Sequence, residues 1–220
     1  MSLKLKAKGI FFDLDGTIVD SKPAYLEAAR IAFTTLGKKP LENWVALEIP
    51  RRLEQCLAIN DLVGDKVQQF LDIYLQAYYS VAKSKTKPFP STQATLALLS
   101  KRAKLALITM RYVPRQSVID ELSQFSLAQF FTYFVTALDT EKPKPNPEAL
   151  IRAVKKLDVH MCDCLMVGDS VADIRCGKAA GTKTVAVLTG LFTCDELIKE
   201  NPDLILKDVS KLPGFLDFTD

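Results

Sequence analysis

Asp13 and Asp15 stand one residue apart at the end of the apolar run Ile10-Phe11-Phe12. On an extended chain residues i and i+2 face the same side, so the two carboxylates crowd together. Like charges at that range are unfavourable unless something neutralises them. A hard cation with oxygen ligands, Mg²⁺ above all, would do so. A solvated acidic turn accounts for the same residues, since Asp-Gly is an ordinary turn dipeptide. The rest of the chain separates the two readings. Leu105-Ala-Leu-Ile108 runs into Thr109, and Phe134-Val-Thr-Ala-Leu138 leads to Asp139 and then Lys142 and Lys144. Leu165-Met-Val167 runs into Gly168-Asp169-Ser170, with Asp173 a helical turn later. Each alone has an ordinary structural explanation as a cap, a charged loop or a turn. Open α/β sheets place their sites beyond the carboxyl ends of strands, so together these residues form one rim.

The chemistry that such a rim supports is phosphoryl transfer. An aspartate can attack phosphorus and form an aspartyl-phosphate. Mg²⁺ bridges the nucleophile and the phosphoryl group and neutralises charge. The Thr109 hydroxyl and the Lys144 ammonium would hold the equatorial oxygens. Asp15, as a second carboxylic acid, can protonate the leaving oxygen and later activate water. His160 is the only histidine, which makes histidine base catalysis and serine triads poor competitors.

These residues need a scaffold. Between Gly9 and Gly16 the short, continuous apolar run Ile10–Phe12 precedes the two aspartates, the pattern of a strand buried on both faces. Between Pro23 and Tyr79 strand-like runs disappear. Helices are predicted over 24–36, 44–59 (broken near Pro50) and 67–81, an insert of roughly seventy residues, the size of a small subdomain. The charged, Pro-bearing stretch Lys83–Pro90 closes it. From Ser91 onward helix and strand alternate. Strands are predicted over 104–108, 131–137, 164–167, 184–188 and 203–206, and helices over 92–99, 115–122, 147–157, 171–180 and 194–199. Alternation of this kind predicts a parallel sheet with helices on both faces.

The chain has 220 residues, 48% hydrophobic and 25% charged, with a net charge of +3. A sizeable core is expected, and nothing in the charge balance asks for nucleic acid. No run reaches the apolar length of a membrane helix, and no secretory h-region opens the chain, so a cytoplasmic protein is expected. Cys56, Cys162, Cys164, Cys176 and Cys194 are expected to be reduced and mostly buried, since their spacing is not that of a zinc site.

With the rim and insert in hand, the chain resembles the haloacid dehalogenase superfamily of phosphatases. Asp13-Leu-Asp15-Gly-Thr17 is similar to the first motif, Asp-x-Asp-x-Thr, and Thr109 to the second. Lys144-Pro-Asn-Pro is similar to the Lys-Pro-x-Pro form of the third, and Gly168-Asp169-Ser-Val-Ala-Asp173 to the fourth. The order and spacing match across most of the chain. The stretch from Asp173 through Gly181 to Thr189-Gly190 looks like the phosphoglycolate-phosphatase-like branch. The resemblance implies a Rossmann-like three-layer core of residues 1–17 and 88–220, with a small all-helical cap of residues 18–87 inserted after the first strand. It implies Asp13 as nucleophile and Mg²⁺ ligand. Asp15 would be general acid/base and lend the metal its main-chain carbonyl. Thr109 and Lys144 would bind phosphate, Asp169 would be a metal ligand, and Asp173 a ligand or its close partner. Lys142 offers a second register for the lysine; Lys144 is taken because Pro-Asn-Pro and a helix follow it directly.

The implied activity is Mg²⁺-dependent hydrolysis of a small phosphorylated metabolite, by a monomer or homodimer with no nucleic acid or membrane partner. A pyrophosphatase or a sugar phosphomutase on the same chemistry is the enzymatic alternative, and a phosphate-accepting receiver domain the non-hydrolytic one. Asp15 argues against a dehalogenase, and Thr17 with the glycine-free segment Ala46–Arg52 against a phosphomutase. Phosphoglycolate-type enzymes also often carry a glycine there, a departure that leaves the substrate open. Arg51, Arg52 and Arg111 are the candidates for contact with a substrate anion, against the alternative of solvated helix faces. Trp44 and Tyr25 are candidates for a pocket lining or a core.

Overall fold

Every residue of the strand at Gly9–Phe12 is buried in the computed structural model, which describes residues 4–217. In chain order the strands are β1 (Leu5–Lys6), β2 (Gly9–Phe12), β3 (Val19–Asp20), β4 (Lys87–Pro88), β5 (Lys104–Ile108), β6 (Tyr133–Val135), β7 (Cys164–Gly168), β8 (Lys183–Val187), β9 (Leu204–Leu206) and β10 (Leu216–Asp217). The helices are α1 (Lys22–Thr35), α2 (Asn43–Ala46), α3 (Glu48–Glu54), α4 (Asn60–Val63), α5 (Val67–Lys85), α6 (Thr92–Leu99), α7 (Arg115–Gln124), α8 (Glu148–Leu157), α9 (Val171–Ala180) and α10 (Cys194–Lys199). The chain divides into two units, one of residues up to Val19 and from Pro88 onward, the other of Asp20–Lys87.

The first unit is a Rossmann-like α/β core. Its six-stranded sheet runs in the order β6-β5-β2-β7-β8-β9, with every pair parallel. The chain leaves β2 for β5 and β6 on one side, then returns to β7, β8 and β9 on the other, so the order reverses beside β2. Side chains alternate across the sheet. Ile10 and Phe12 pack with Leu105, Leu107, Leu165 and Val167 beneath α6, α7 and the 3₁₀ turn Val209–Phe215. Phe11 packs with Ala106, Ile108 and Met166 against α8 and Cys176 of α9 on the other face. Burial on both faces is why β2 and β7 read as unbroken apolar runs rather than alternating ones. β1 and β10 form a separate parallel pair, with Leu5 opposite Leu216.

The second unit is wholly helical apart from the strand residues at its two connections, and carries its own core. Ala24, Ala28, Ala32 and Phe33 of α1 pack with Phe70, Tyr74, Ala77 and Tyr78 of α5. The small residues of α1 fall at helical spacing and let the two long helices approach.

Several local expectations are corrected. The helix expected over 44–59 is two, α2 and α3, with the break at Leu47, three residues before Pro50. Pro50 is the third residue of α3, in the first turn, where its missing N–H costs nothing. The strand expected over 131–137 is limited to Tyr133–Val135, because Thr136 opens a capped 3₁₀ turn closed by Asp139. Trp44 is 75% exposed, so it belongs to the surface, while Tyr25 stacks on Tyr78 at 5.1 Å between centroids. Cys56, Cys162 and Cys194 are exposed; only Cys164 and Cys176 are buried, and burial pushes both thiols up to about 12. Among the described residues no helix is long and apolar enough to cross a membrane.

Candidate active site

Asp13 is placed by continuation of the β2 ladder. Its N–H donates to Val167 O at 2.9 Å, setting it beside the end of β7 where the strand order reverses. Crevices of this kind, outside the carboxyl ends of parallel strands, are where open α/β sheets bind ligands. The chain turns next at Gly16, whose φ is +81°. A Cβ there would lie 2.5 Å from Asp169 Oδ2, so both the left-handed backbone and the close approach call for glycine.

Asp169 follows β7 and accepts a hydrogen bond from Thr17 Oγ1 at 2.8 Å. A Cβ on Gly190 would stand 1.6 Å from Asp169 Oδ2, so the loop after β8 also closes on this carboxylate. That loop is tied down by Thr189 Oγ1, which donates to Gly16 O at 2.5 Å. Asp173 sits in the first turn of α9. Its Oδ2 accepts from Ser170 N–H and Oγ–H in a capping box, and its Oδ1 accepts from Lys144 Nζ at 2.6 Å. One helix cap therefore also aims a carboxylate oxygen at the centre of the rim.

Lys144 is buried and bridges the group. Its ammonium donates to Asp13 Oδ1 at 2.5 Å, to Asp173 Oδ1 and to Ile108 O at 3.3 Å. Lys142 is exposed, so of the two registers it is Lys144 that enters the rim. Asp13, Asp169 and Asp173 are all buried, and each offers an oxygen within 4.8 Å of the others. Burial drives the Asp13 carboxyl well above its usual value, with Asp173 and Asp15 adding to the rise and Lys144 opposing it. Burial pulls Lys144 down, but Asp13 and Asp173 outweigh it and hold its ammonium protonated well above 10.5.

Thr109 follows β5 directly and is buried; its N–H donates to Val135 O and its Oγ1 accepts from Arg111 N–H at 3.2 Å. Asp15 is met by Arg111 through both carboxylate oxygens, Nε to Oδ2 at 2.8 Å and Nη2 to Oδ1 at 2.6 Å. Arg111, a candidate for contact with a substrate anion, is held internally here: it is 5% exposed, and its Nη1 also donates to Glu121 Oε2 at 2.5 Å. Arg51 and Arg52 are likewise engaged within the helical unit, Arg51 with Glu48 at 2.8 Å and Arg52 with Asp61 at 2.6 Å. Asp139 turns away to Thr136 and Arg115. Glu121 was missed by the sequence reading. The available signal was an acidic residue inside the apolar stripe Val118, Glu121, Leu122 of α7, all of which are buried.

The model of the haloacid dehalogenase-like hydrolases matches residues 10–187, which contain every residue of this rim. The chain belongs to the haloacid dehalogenase-like hydrolase family. Among curated relatives of this hydrolase, the phosphoglycolate phosphatase of Pseudomonas syringae pv. syringae is 34% identical, over 96% of this chain and 80% of that one. The phosphoglycolate phosphatase of Pseudomonas fluorescens Pf0-1 is 32% identical, over 94% and 79%. A haloacid dehalogenase-like family hydrolase of Streptococcus pneumoniae superposes with a TM-score of 0.80 at 20% identity, covering 95% of this chain and 98% of that one. At that identity the likeness concerns the fold alone.

Proposed function

We propose that this hydrolase is a Mg²⁺-dependent phosphatase that cleaves a small phosphomonoester through an aspartyl-phosphate on Asp13. The observation that carries the reading is the convergence of Asp13, Asp169 and Asp173, whose oxygens lie within 4.8 Å of one another, with the Lys144 ammonium paired to Asp13 and Asp173. Three buried carboxylates against one ammonium leave excess negative charge. Their oxygens are hard donors close enough to share one small cation, so the donor set fits Mg²⁺, held by Asp13 and Asp169 with Asp173 as ligand or close partner. The Asp15 main-chain carbonyl is assigned as a further ligand. When bound, Mg²⁺ would supply positive charge against the phosphoryl oxygens and keep Asp13 ionised.

The chain's own groups carry the steps. An Asp13 carboxylate oxygen attacks phosphorus, and the bond from phosphorus to the ester oxygen breaks. Asp15, as a carboxylic acid, gives its proton to that departing oxygen. Lys144 and Thr109 hold the equatorial oxygens of the phosphoryl group as it transfers. Asp15, now a carboxylate, takes a proton from water as the water oxygen attacks phosphorus. The bond between phosphorus and Asp13 then breaks, releasing phosphate and restoring both carboxyls. The helical unit of residues 20–87 is assigned the role of a cap that selects the substrate. This rests on its insertion directly after Asp13–Thr17 and on the family.

The curated relatives named as phosphoglycolate phosphatases support a small phosphorylated metabolite as substrate, phosphoglycolate first among those to test. The experiment is phosphate release from phosphoglycolate, sugar phosphates, nucleotides and pyrophosphate, with and without Mg²⁺, alongside Asp13→Asn. Mg²⁺-dependent release that the variant lacks is expected. Wild-type-like turnover by Asp13→Asn would sink the mechanism. Interconversion of sugar phosphates without phosphate release would replace hydrolysis by a mutase reaction.

A further inference from the structure

Asp15 and Glu121 lie 106 positions apart in sequence yet share one guanidinium. Arg111 grips Asp15 through two parallel N–H···O bonds and donates a third to Glu121. All three side chains are largely buried, with 13% of Asp15, 5% of Arg111 and 6% of Glu121 exposed. We propose that Arg111 is a positioning residue that sets the aim of the Asp15 carboxyl, and that Glu121 anchors Arg111. The inference rests on the reading of Asp15 as the proton donor to the leaving oxygen.

A planar guanidinium that meets a carboxylate with two bonds fixes both its position and its plane, which a single-point ammonium does not do. Buried ion pairs contribute little net stability compared with apolar packing of similar volume, so orientation is what this one supplies. The anchoring is rigid on two sides. Glu121 sits on α7 within its apolar stripe, and the Arg111 backbone N–H is tied to Thr109 Oγ1. Proton transfer requires Asp15 to release at least one Arg111 N–H and turn its oxygen to the leaving group. Glu121 keeps the guanidinium in place meanwhile, so the Asp15 carboxylate returns to the same two donors after giving up its proton. Arg111 then presents Asp15 in one orientation for the water step as well.

The test compares wild type with Arg111→Met, Arg111→Lys and the double variant Arg111→Met/Glu121→Gln. Each is assayed on p-nitrophenyl phosphate and on the best primary-alkyl phosphate of the substrate panel, with Asp13→Asn and Asp15→Asn as references. The nitrophenolate leaves without a proton; the alkoxide does not. Arg111→Met is expected to lower kcat on the alkyl ester by about 10–100-fold, the scale of losing a supporting shell. On the aryl ester kcat should fall by less than about threefold, with KM little changed on both. Arg111→Lys should recover part of the alkyl loss. The double variant removes the Glu121 carboxylate that the single variant strands in the core, so it separates a leaving-group effect from misfolding caused by that charge; its circular dichroism and melting are followed in parallel. Equal loss on both esters in the double variant would make the role structural and overturn the proposal. A raised KM with unchanged kcat would overturn it in favour of substrate contact. If wild type matches Asp13→Asn on every ester, the phosphatase reading falls and this one with it. Loss confined to poor leaving groups in Asp15→Asn, with Arg111→Met unchanged, would overturn the positioning role alone.

Discussion

Lys144 Nζ stands 2.5 Å from Asp13 Oδ1, although 131 positions separate the two residues. β2 delivers one partner, and the loop leading into α8 delivers the other. The pair occupies the point where the strand order reverses, and Asp173 shares the same ammonium at 2.6 Å.

Removing that ammonium should be costly. Lys144→Met would leave Asp13 and Asp173 facing each other, buried and without their cation, and breaking such a group costs about 3–5 kcal/mol. Urea unfolding of the variant should shift by that amount, and phosphate release should be lost. Because the variant holds the greater uncompensated charge, added Mg²⁺ should raise its Tm more than that of wild type. An unchanged midpoint would mean that the three groups do not interact as the geometry indicates.

Metal binding should also be visible without turnover. A ligand that binds only the folded state at a hundred times its Kd stabilises by about 2.7 kcal/mol, so Tm should climb with Mg²⁺ and return with EDTA. Asp169→Asn should abolish the climb. Burial raises the Asp13 carboxyl above its usual value, so protons and a cation compete for it. Mg²⁺ affinity should therefore fall as the pH is lowered. Calorimetry at two pH values in buffers of different ionisation enthalpy reads both the affinity and the proton.

Gly190→Ala tests the wall around Asp169. The added methyl would fall 1.6 Å from Asp169 Oδ2, so the carboxylate must move or the loop must shift. A loss of about 10–100-fold in apparent Mg²⁺ affinity is expected. Gly214→Ala, where a Cβ meets nothing within 4 Å, is the control and should bind as wild type does.

Two carboxylates outside the site set part of the acid sensitivity. Burial works against the Asp139 anion, but the Thr136 N–H and Arg115 outweigh it and hold the carboxyl below its ordinary 3.8. Asp203 is held down in the same way, against burial, by Lys183 and the Thr184 N–H. The unfolded chain binds these protons more tightly than the folded one. Their contribution is thus complete above about pH 3.8 and is lost as pH falls through the lower folded values. Asp139→Asn and Asp203→Asn should each flatten the drop in Tm between about pH 5 and pH 2, where carboxylates titrate. A wild-type slope in both variants would place the acid sensitivity elsewhere.

The elements and the residues of the rim are legible in the linear chain. Wholly apolar runs ending on Asp13, Thr109 and Asp169 announced strands buried on both faces, and the helical texture between Pro23 and Tyr79 announced an insert. These signals are local: periodicity, run length and turn residues act within a few positions, so they are legible without a fold. Short elements read less well, because tertiary context decides them. Pro50 marks a break without fixing its residue, which is Leu47, and β6 ends at Val135 because Thr136 and Asp139 cap each other. Which charged groups meet is settled by the folded backbone alone. The arrival of Lys144 rather than Lys142 between Asp13 and Asp173 depends on burial of one loop. The pairing of Arg111 with both Asp15 and Glu121 depends on how α7 packs beside β6. Charged side chains on a linear chain carry no periodic mark of their partners; the cost of burying them alone selects those partners once the backbone is folded.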